Sequence, residues 1–324
     1  MTPAPRRLTP EDVLRARETL RPHLKPTPLR LSSAVRSGTA YLKLECWQPT
    51  GSFKVRGAVN IVSSLRPDER ARGIVAASAG NHALGVAFAA QALGGDVACT
   101  LFVPESAPGA KVDKLRRFPV DLRVTGATYD DAHIAAMAHV AATGATYVHA
   151  FDDPRTAAGQ GTVGLEILDE LPDVGTIVVP CGGGGLIAAV AAYAKGTNPS
   201  VRIVAVQPEA SPSLRESLRR GEALYEYAAG PTLADGIAGG IGDIVFAHRD
   251  LIDEVVEVTE SEIEDAILAL LADDQVVAEG AGAVGVAAAR SGKIPTPDGR
   301  PMAIVVSGGN IDASVLSRLL RARP

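Results

Sequence analysis

The chain has 324 residues, 46% of them hydrophobic and 21% charged, a composition that excludes a disordered or fibrous protein. Lysine and arginine number 32 against 37 aspartate and glutamate residues, a net charge of −5, and no more than two basic residues stand side by side. Nucleic acid is therefore not expected as a partner. The length suggests two domains, or one large α/β unit with a cleft.

Three cysteines occur, Cys46, Cys99 and Cys181, with neither a CxxC pair nor an even number from which to build disulfides. This predicts a reducing compartment, the cytoplasm. Residues 1–20 mix proline, arginine and acidic residues and lack the apolar run of a secretory leader. The longest apolar stretch elsewhere, residues 186–194, is far shorter than the ~20 residues that span a bilayer, so no membrane association is expected.

Short β-branched runs alternate with alanine-rich stretches, a pattern typical of parallel strands joined by crossover helices. The predicted strands are 41–45, 74–77, 97–103, 122–124, 147–149, 176–179, 202–206 and 303–306. The predicted helices are 81–93, 130–142, 186–194, 260–271 and 282–289. Thr128 with Asp131 and Thr259 with Glu262 are spaced as capping boxes. Several strands are apolar throughout, which favours an α/β fold with helices on both faces of the sheet.

Glycine-rich turns follow three predicted strands, and the ends of strands are where open α/β sheets bind ligands. The run Gly182–Gly185 stands between an apolar strand and an alanine-rich helix, where its backbone can wrap an anion. It matches neither a Walker loop nor a dinucleotide fingerprint. Tight packing of strand on helix is the alternative explanation. If the loop binds a phosphate, a Gly184→Asp variant should fold but lose the cofactor.

Lys54 lies in a polar segment, residues 50–57, after a predicted strand and before an apolar helix. An isolated lysine is expected to be a solvated surface residue. Beside a phosphate site it has a second interpretation, because its amine can form a Schiff base with a phosphorylated aldehyde.

Six motifs in order resemble those of the fold-type II pyridoxal-phosphate enzymes, in particular the serine/threonine dehydratase family. They are TGSFKVRGA at 50–58, SAGNHA at 78–83, GGGGL at 182–186, LADG at 233–236, EGAGA at 279–283 and SGGNID at 307–312. The likeness is greatest to the short degradative threonine dehydratases and extends to serine racemases. It implies two lobes, each an open, mostly parallel sheet flanked by helices: a large cofactor-binding domain, residues 1–55 and 151–324, and a small domain, residues 56–150.

The resemblance implies pyridoxal 5′-phosphate as cofactor and Lys54 as the catalytic residue that holds it as a Schiff base. The other implied cofactor contacts are Phe53 beside the ring, Asn81 at the 3′-hydroxyl, Gly182, Gly183, Gly184, Gly185 and Leu186 at the phosphate, Ser307 at the pyridine nitrogen, and Glu279. The loop implied to receive the substrate carboxylate consists of Ser78, Ala79, Gly80, Asn81 and His82. No metal ligand is assigned, because Gln207, Ser211 and Ser213 stand where serine racemases carry their cation site; Glu209 is the one carboxylate there that leaves a cation open.

The implied reaction is dehydration and deamination of a β-hydroxy amino acid, L-threonine to 2-oxobutanoate or L-serine to pyruvate, with release of ammonia. Either the cofactor phosphate or the Lys54 ammonium would protonate the departing hydroxide. The alternatives are a serine racemase, a dehydratase of another β-hydroxy amino acid and, last, a non-catalytic protein that binds a phosphate ligand.

Racemisation needs an acid that protonates Cα from the face opposite Lys54. Related racemases carry a serine for this role where this chain has Ala79, whose methyl group cannot donate a proton. The neighbouring Ser78 is expected to point in a different direction. Little D-isomer is therefore expected, and Ala79→Ser should increase it. About 15 residues follow SGGN, too few for a regulatory domain. A homo-oligomer, dimer or tetramer, is expected.

Overall fold

The computed structural model describes residues 6–36, 38–107, 109–295 and 299–322, and these form two sheets. Residues 1–5, part of the segment considered for a leader, lie outside the described residues. In chain order the strands are β1 (Leu29–Leu31), β2 (Ala40–Leu44), β3 (Ile74–Ala77), β4 (Cys99–Val103), β5 (Asp121–Val124), β6 (Thr146–Tyr147), β7 (Thr176–Pro180), β8 (Arg202–Pro208), β9 (Glu254–Val258) and β10 (Met302–Val306).

The helices connect and cover these strands. In chain order they are α1 (Pro10–Leu20), α2 (Lys54–Ser63), α3 (Pro67–Arg72), α4 (Asn81–Ala92), α5 (Gly109–Leu115), α6 (Tyr129–Thr143), α7 (Pro154–Glu170), α8 (Gly185–Thr197), α9 (Ser213–Arg220), α10 (Asp243–Ala247), α11 (Glu260–Asp273), α12 (Gly280–Arg290) and α13 (Ala313–Ala322). Among the described residues, no helix has both the length and the apolar composition needed to cross a lipid bilayer.

The larger sheet has the strand order β1-β2-β10-β7-β8-β9, in which the edge strand β1 is antiparallel to β2 and the other neighbours are parallel. Ile304 of β10 pairs with Leu42 of β2 on one side and with Val178 of β7 on the other. Successive residues of β10 enter different cores: Val305 packs with α7 and α8, whereas Ile304 packs with α11 and α12. This two-residue alternation explains why β10 is apolar at every position.

The smaller sheet has the order β5-β4-β3-β6, and all its strands are parallel. Its strands fall between residues 74 and 147, inside the predicted small domain. The α/β fold with two mostly parallel sheets is thus confirmed, while the domain boundaries stay a prediction.

All eight predicted strands are present, with ends within two residues of the prediction, and the five predicted helices are present within three. Both capping boxes form: Thr128 accepts from the Asp131 N–H, and Thr259 accepts from the Glu262 N–H. The prediction missed β1, β9 and several helices, most importantly the long helix α7. β9 is an edge strand that carries two glutamates, Glu254 and Glu257, among its valines, and α7 carries glycines that weaken the helical signal.

Candidate active site

A cavity of about 840 Å³ lies between the carboxyl ends of β3 in the smaller sheet and of β7 and β10 in the larger one. Nearly all the predicted site residues line it: Phe53, Lys54, Ser78, Gly80, Asn81, His82, Gly182, Gly183, Gly184, Gly185, Leu186, Glu279 and Ser307. Ala79 is the exception, because it packs against the core of the smaller sheet. The cavity thus gathers motifs that lie up to about 250 residues apart in the chain.

Four helices begin at the cavity wall: α2 at Lys54, α4 at Asn81, α8 at Gly185 and α12 directly after Glu279. Helix N-termini present unpaired N–H groups and a partial positive charge. The cavity is therefore suited to an anionic ligand although the whole chain is acidic.

The Lys54 side chain lies inside this cavity. Its Nζ donates a hydrogen bond to the carbonyl oxygen of Ala150 at 2.9 Å. Burial lowers the pKa of Lys54 to about 8, although the nearby Glu279 carboxylate opposes the shift. About a tenth of the amine is then neutral at pH 7, against well under a thousandth at an ordinary lysine pKa. The neutral amine is the nucleophilic form, so Lys54 is suited to attack a carbonyl carbon.

The loop after β7 presents backbone N–H groups to the cavity. Gly184 has φ +89°, a left-handed conformation that glycine adopts without strain, and α8 begins at the next residue. No acceptor within the described ranges is bonded to the N–H groups of Gly183, Gly184, Gly185 or Leu186. A phosphate is the natural acceptor for such a row of donors at a helix N-terminus.

The same glycines are required by packing. A Cβ at Gly182 would lie 2.8 Å from the Cα of Ile237, and one at Gly184 would overlap the Val245 side chain. Atoms of neighbouring residues thus lie against one side of the loop, which supports the packing interpretation. The unbonded N–H groups leave room for a phosphate, and the phosphate site stays a prediction. The expectation that aspartate at position 184 leaves the fold intact is wrong, because its Cβ meets Val245.

Asn81 and Glu279 form a bonded pair on the cavity wall. The Asn81 Nδ2 donates to Glu279 Oε1 at 2.7 Å, and the Asn81 Oδ1 accepts from Asn310 Nδ2 at 2.8 Å. The Asn81 amide is thereby oriented, with one N–H left for a ligand. Burial raises the pKa of Glu279 to about 7, although the bond from Asn81 opposes this shift. Asn310 belongs to the SGGNID motif, but the sequence analysis did not assign it to the site.

Ser307 and Phe53 are joined through the backbone at the end of β10. The Phe53 N–H donates to the Ser307 carbonyl oxygen at 3.0 Å, and the Lys54 Nζ lies 5.2 Å from the centre of the Phe53 ring. The buried Ser307 hydroxyl lies 3.4 Å from the carbonyl oxygen of Ala281, a long hydrogen bond. A neutral hydroxyl can thus face a ring nitrogen without forcing it to be protonated.

The loop after β3 places Ser78, not Ala79, at the cavity. The Ser78 Oγ accepts a hydrogen bond from the Gly80 N–H at 3.1 Å. The buried His82 donates from Nε2 to the carbonyl oxygen of Val148 at 2.7 Å, and burial together with the Lys54 charge lowers the pKa of His82 to about 3. His82 is therefore neutral, and its bond orients the loop.

Two lysines from α5 reach across the cavity mouth to the larger sheet. Lys111 Nζ lies 3.4 Å from Asp235 Oδ2, and Lys114 Nζ donates to Asn310 Oδ1 at 3.1 Å. Both lysines lie outside the residues predicted for the site, since the sequence pattern does not predict α5. The LADG motif containing Asp235 was the available signal for the opposite side.

The positions compared with the racemase cation site carry neutral side chains that bond to one another or to nearby backbone groups. Gln207 Nε2 donates to Ser213 Oγ at 3.3 Å and to the Cys181 carbonyl oxygen at 3.0 Å. The Ser211 Oγ accepts from the Gly239 N–H at 3.0 Å. These side chains are therefore hydrogen-bonded to protein groups.

The residues around the cavity fit a phosphorylated aldehyde such as pyridoxal 5′-phosphate. The free N–H groups of the glycine loop match the phosphate, and the Lys54 amine of lowered pKa matches the aldehyde. Asn81 and Ser307 supply neutral polar groups on the intervening wall. Fold and cavity together fit the class of α/β enzymes in which a lysine and a glycine loop receive a phosphorylated aldehyde.

Comparison with known proteins agrees with this class. Residues 20–308 match the family described as pyridoxal-phosphate dependent enzyme, so the chain belongs to that family and uses pyridoxal phosphate. It is 49% identical over 319 residues to an L-threonine ammonia-lyase of Thermotoga maritima, covering 97% of this chain and 78% of the relative. It is 40% identical to a catabolic L-threonine dehydratase of Staphylococcus aureus, covering 95% and 91%. A maize serine racemase structure superposes with a TM-score of 0.89 at 31% identity, covering 98% of each chain.

Proposed function

We propose that this enzyme dehydrates and deaminates L-threonine to 2-oxobutanoate and ammonia, and L-serine to pyruvate and ammonia. The observation that carries the proposal is the shared cavity of Lys54, the glycine loop and Ser307. The two dehydratase-type relatives, each matched over most of this chain, support the choice of substrate class. Other β-hydroxy amino acids belong to the same reaction class.

Bound pyridoxal phosphate supplies an electron sink that makes the substrate Cα proton acidic. Lys54 would hold the cofactor through Nζ, and its neutral amine would take the substrate Cα proton. The resulting Lys54 ammonium would be one donor of a proton to the hydroxide that leaves Cβ. The neutral Ser307 hydroxyl would face the ring nitrogen without enforcing its protonation, which would favour elimination.

The other residues bind and orient. The N–H groups of residues 182–186 would hold the phosphate, Phe53 would pack beside the ring, and Asn81, oriented by Glu279, would bond to the 3′-hydroxyl. The loop from Ser78 to His82 receives the substrate carboxylate, with Ala79 supporting it from the core side.

Three broader expectations belong to the same proposal. Residues 56–150 form a small domain between the two parts of a large one, residues 1–55 and 151–324. The three cysteines are free and buried, which supports a reducing cytoplasm. The enzyme is a homo-oligomer, a dimer or a tetramer.

The first test removes the lysine. Lys54→Ala should abolish the covalent cofactor adduct seen by mass spectrometry after borohydride reduction, and lower kcat/KM for L-threonine by roughly a thousandfold or more. Lys195→Ala is the matched control, since Lys195 lies outside the cavity and pairs with Asp253. An active Lys54→Ala enzyme would contradict the mechanism, while cofactor capture without turnover of any β-hydroxy amino acid would favour a non-catalytic binding protein.

Serine racemase activity is a second candidate, because Ser78 lines the cavity while the partly buried Ala79 packs against the core of the smaller sheet. Chiral chromatography of products from L-serine measures it. If Ser78 is the acid opposite Lys54, Ser78→Ala should remove D-serine while leaving pyruvate formation in place, and Ala79→Ser should change neither. If more D-serine than pyruvate forms from L-serine, racemisation is the main activity of the enzyme.

A further inference from the structure

Behind Lys54, a buried ion network joins three elements through Glu45, Arg56 and Glu166. The Arg56 Nε and Nη2 donate to the two Glu45 oxygens at 2.7 and 2.8 Å. Its Nη1 and Nη2 donate to the two Glu166 oxygens at 2.6 and 2.7 Å. The remaining Nη1 N–H donates to Thr162 Oγ1 at 3.0 Å. All five N–H donors of the guanidinium are thus used, and its side chain is 2% exposed.

The network lies on the opposite side of α2 from the cavity. Lys54 and Arg56 are two residues apart, about 200° around the helix axis. Lys54 lines the cavity, whereas Arg56 does not and bonds instead to Glu166 of α7 and to Glu45, which follows β2. Both partners belong to elements that pack with the larger sheet. The bonds of Arg56 to Glu45 and Glu166 therefore restrain the rotation of α2 about its axis from the side opposite the cavity.

Stability alone is a poor explanation for these buried charges. Transferring a guanidinium and two carboxylates from water into the protein interior costs free energy. Apolar residues of similar size often stabilise the folded protein as well or better. An apolar contact, however, does not set an orientation, whereas a planar guanidinium bonded to two carboxylates does. Gly57, the next residue of α2, is held by the same helix α7, since its N–H donates to Gln160 Oε1 at 3.2 Å.

We propose that Arg56 is a positioning residue that aims Lys54 into the cavity by locking the rotation of α2 against Glu45 and Glu166. The proposal rests on Lys54 as the cofactor-binding residue under the proposed function. It predicts that weakening the network changes the environment of the Lys54 amine before it unfolds the protein.

The test compares Arg56→Lys, which keeps the charge but loses the planar fork, with Arg56→Met. The control is Asp274→Asn, which removes another buried charge, bonded to Ser32 and remote from the cavity. Three quantities are measured: the Lys54 pKa by ¹⁵N NMR of the cofactor-free chain, pyridoxal-phosphate affinity by equilibrium dialysis, and kcat and KM for L-threonine.

Both Arg56 variants should move the Lys54 pKa upward from about 8 and weaken cofactor affinity about tenfold or more, and lower kcat by about 10- to 100-fold with little change in KM. Asp274→Asn should lower the melting temperature without these changes. If folded Arg56→Lys keeps the wild-type Lys54 pKa and affinity, or if Asp274→Asn shifts them equally, Arg56 has no positioning role. The NMR and dialysis results decide this even if L-threonine proves not to be the substrate.

Discussion

Lys54 and Glu279 show how burial changes ordinary side chains within the cavity. Burial lowers the pKa of Lys54 to about 8 and raises that of Glu279 to about 7. Both shifts favour the uncharged form, because a charge is poorly solvated there. The amine is thereby made more nucleophilic, and the carboxyl group becomes able to exchange a proton near neutral pH.

The Glu279 shift predicts a stability change with pH. Between its ordinary pKa of 4.5 and about 7, the folded chain binds more protons at this group than the unfolded chain. Its contribution to stability is therefore present below pH 4.5 and is lost as pH rises through 7, by up to about 3 kcal/mol. In cofactor-free protein, the unfolding free energy of wild type minus Glu279→Gln should fall over this range in urea titrations. A difference independent of pH would show that the Glu279 pKa is normal.

Helix α7 has a low intrinsic helix propensity and is stabilised by its packing against α2. It contains Gly159, Gly161 and Gly164, which lower its helix propensity. A Cβ at Gly159 would lie 2.7 Å from the Arg56 carbonyl oxygen and 2.8 Å from the Gly57 Cα, so the glycine allows α2 and α7 to touch through their backbones. The tertiary contact outweighs the propensity.

Gly159→Ala should therefore destabilise the protein by about 1–3 kcal/mol, because the added methyl group forces the two helices apart. Gly109→Ala in α5 is the control, since among the described residues a Cβ there meets no heavy atom within 4 Å beyond its own stretch of the chain; it should change stability by less than about 1 kcal/mol. Denaturant unfolding of both variants measures this. Equal stability of the two variants would mean that the α2–α7 contact adapts to a side chain.

At the scale of the whole molecule, the two sheets meet across the cavity through few polar contacts at its mouth. Lys111 pairs with Asp235, and Lys114 bonds to Asn310. Asn310 also bonds to Asn81, so this crossing reaches the predicted cofactor site. The Lys111 and Asp235 side chains are 33% and 68% exposed, so their pairing contributes little to global stability.

Asp235→Asn should change the global unfolding free energy by less than about 0.5 kcal/mol while increasing hydrogen exchange of the α5 amides. Asp250→Asn is the control, because it removes an exposed pair with Arg7 that does not involve α5. Mass-spectrometric hydrogen exchange compares them. Unchanged α5 exchange in Asp235→Asn would show that the ion pair does not restrain this helix.

The sequence by itself determined the features that depend on neighbouring residues. The strand positions follow from β-branched runs, the capping boxes from Thr128 and Thr259, and the turn between β7 and α8 from four consecutive glycines. Lys54 was identified by its motif, and its cavity position agrees with that. These features are local because periodicity, capping and backbone freedom act over a few residues.

Only the tertiary structure decided which side chains meet. It placed Ser78 at the cavity and Ala79 against the core of the smaller sheet, brought α5 to Asp235, and buried Arg56 between Glu45 and Glu166. It also lowered the pKa of Lys54. These outcomes depend on elements far apart in the chain, whose contacts and shared exclusion of water exist only once both sheets have folded.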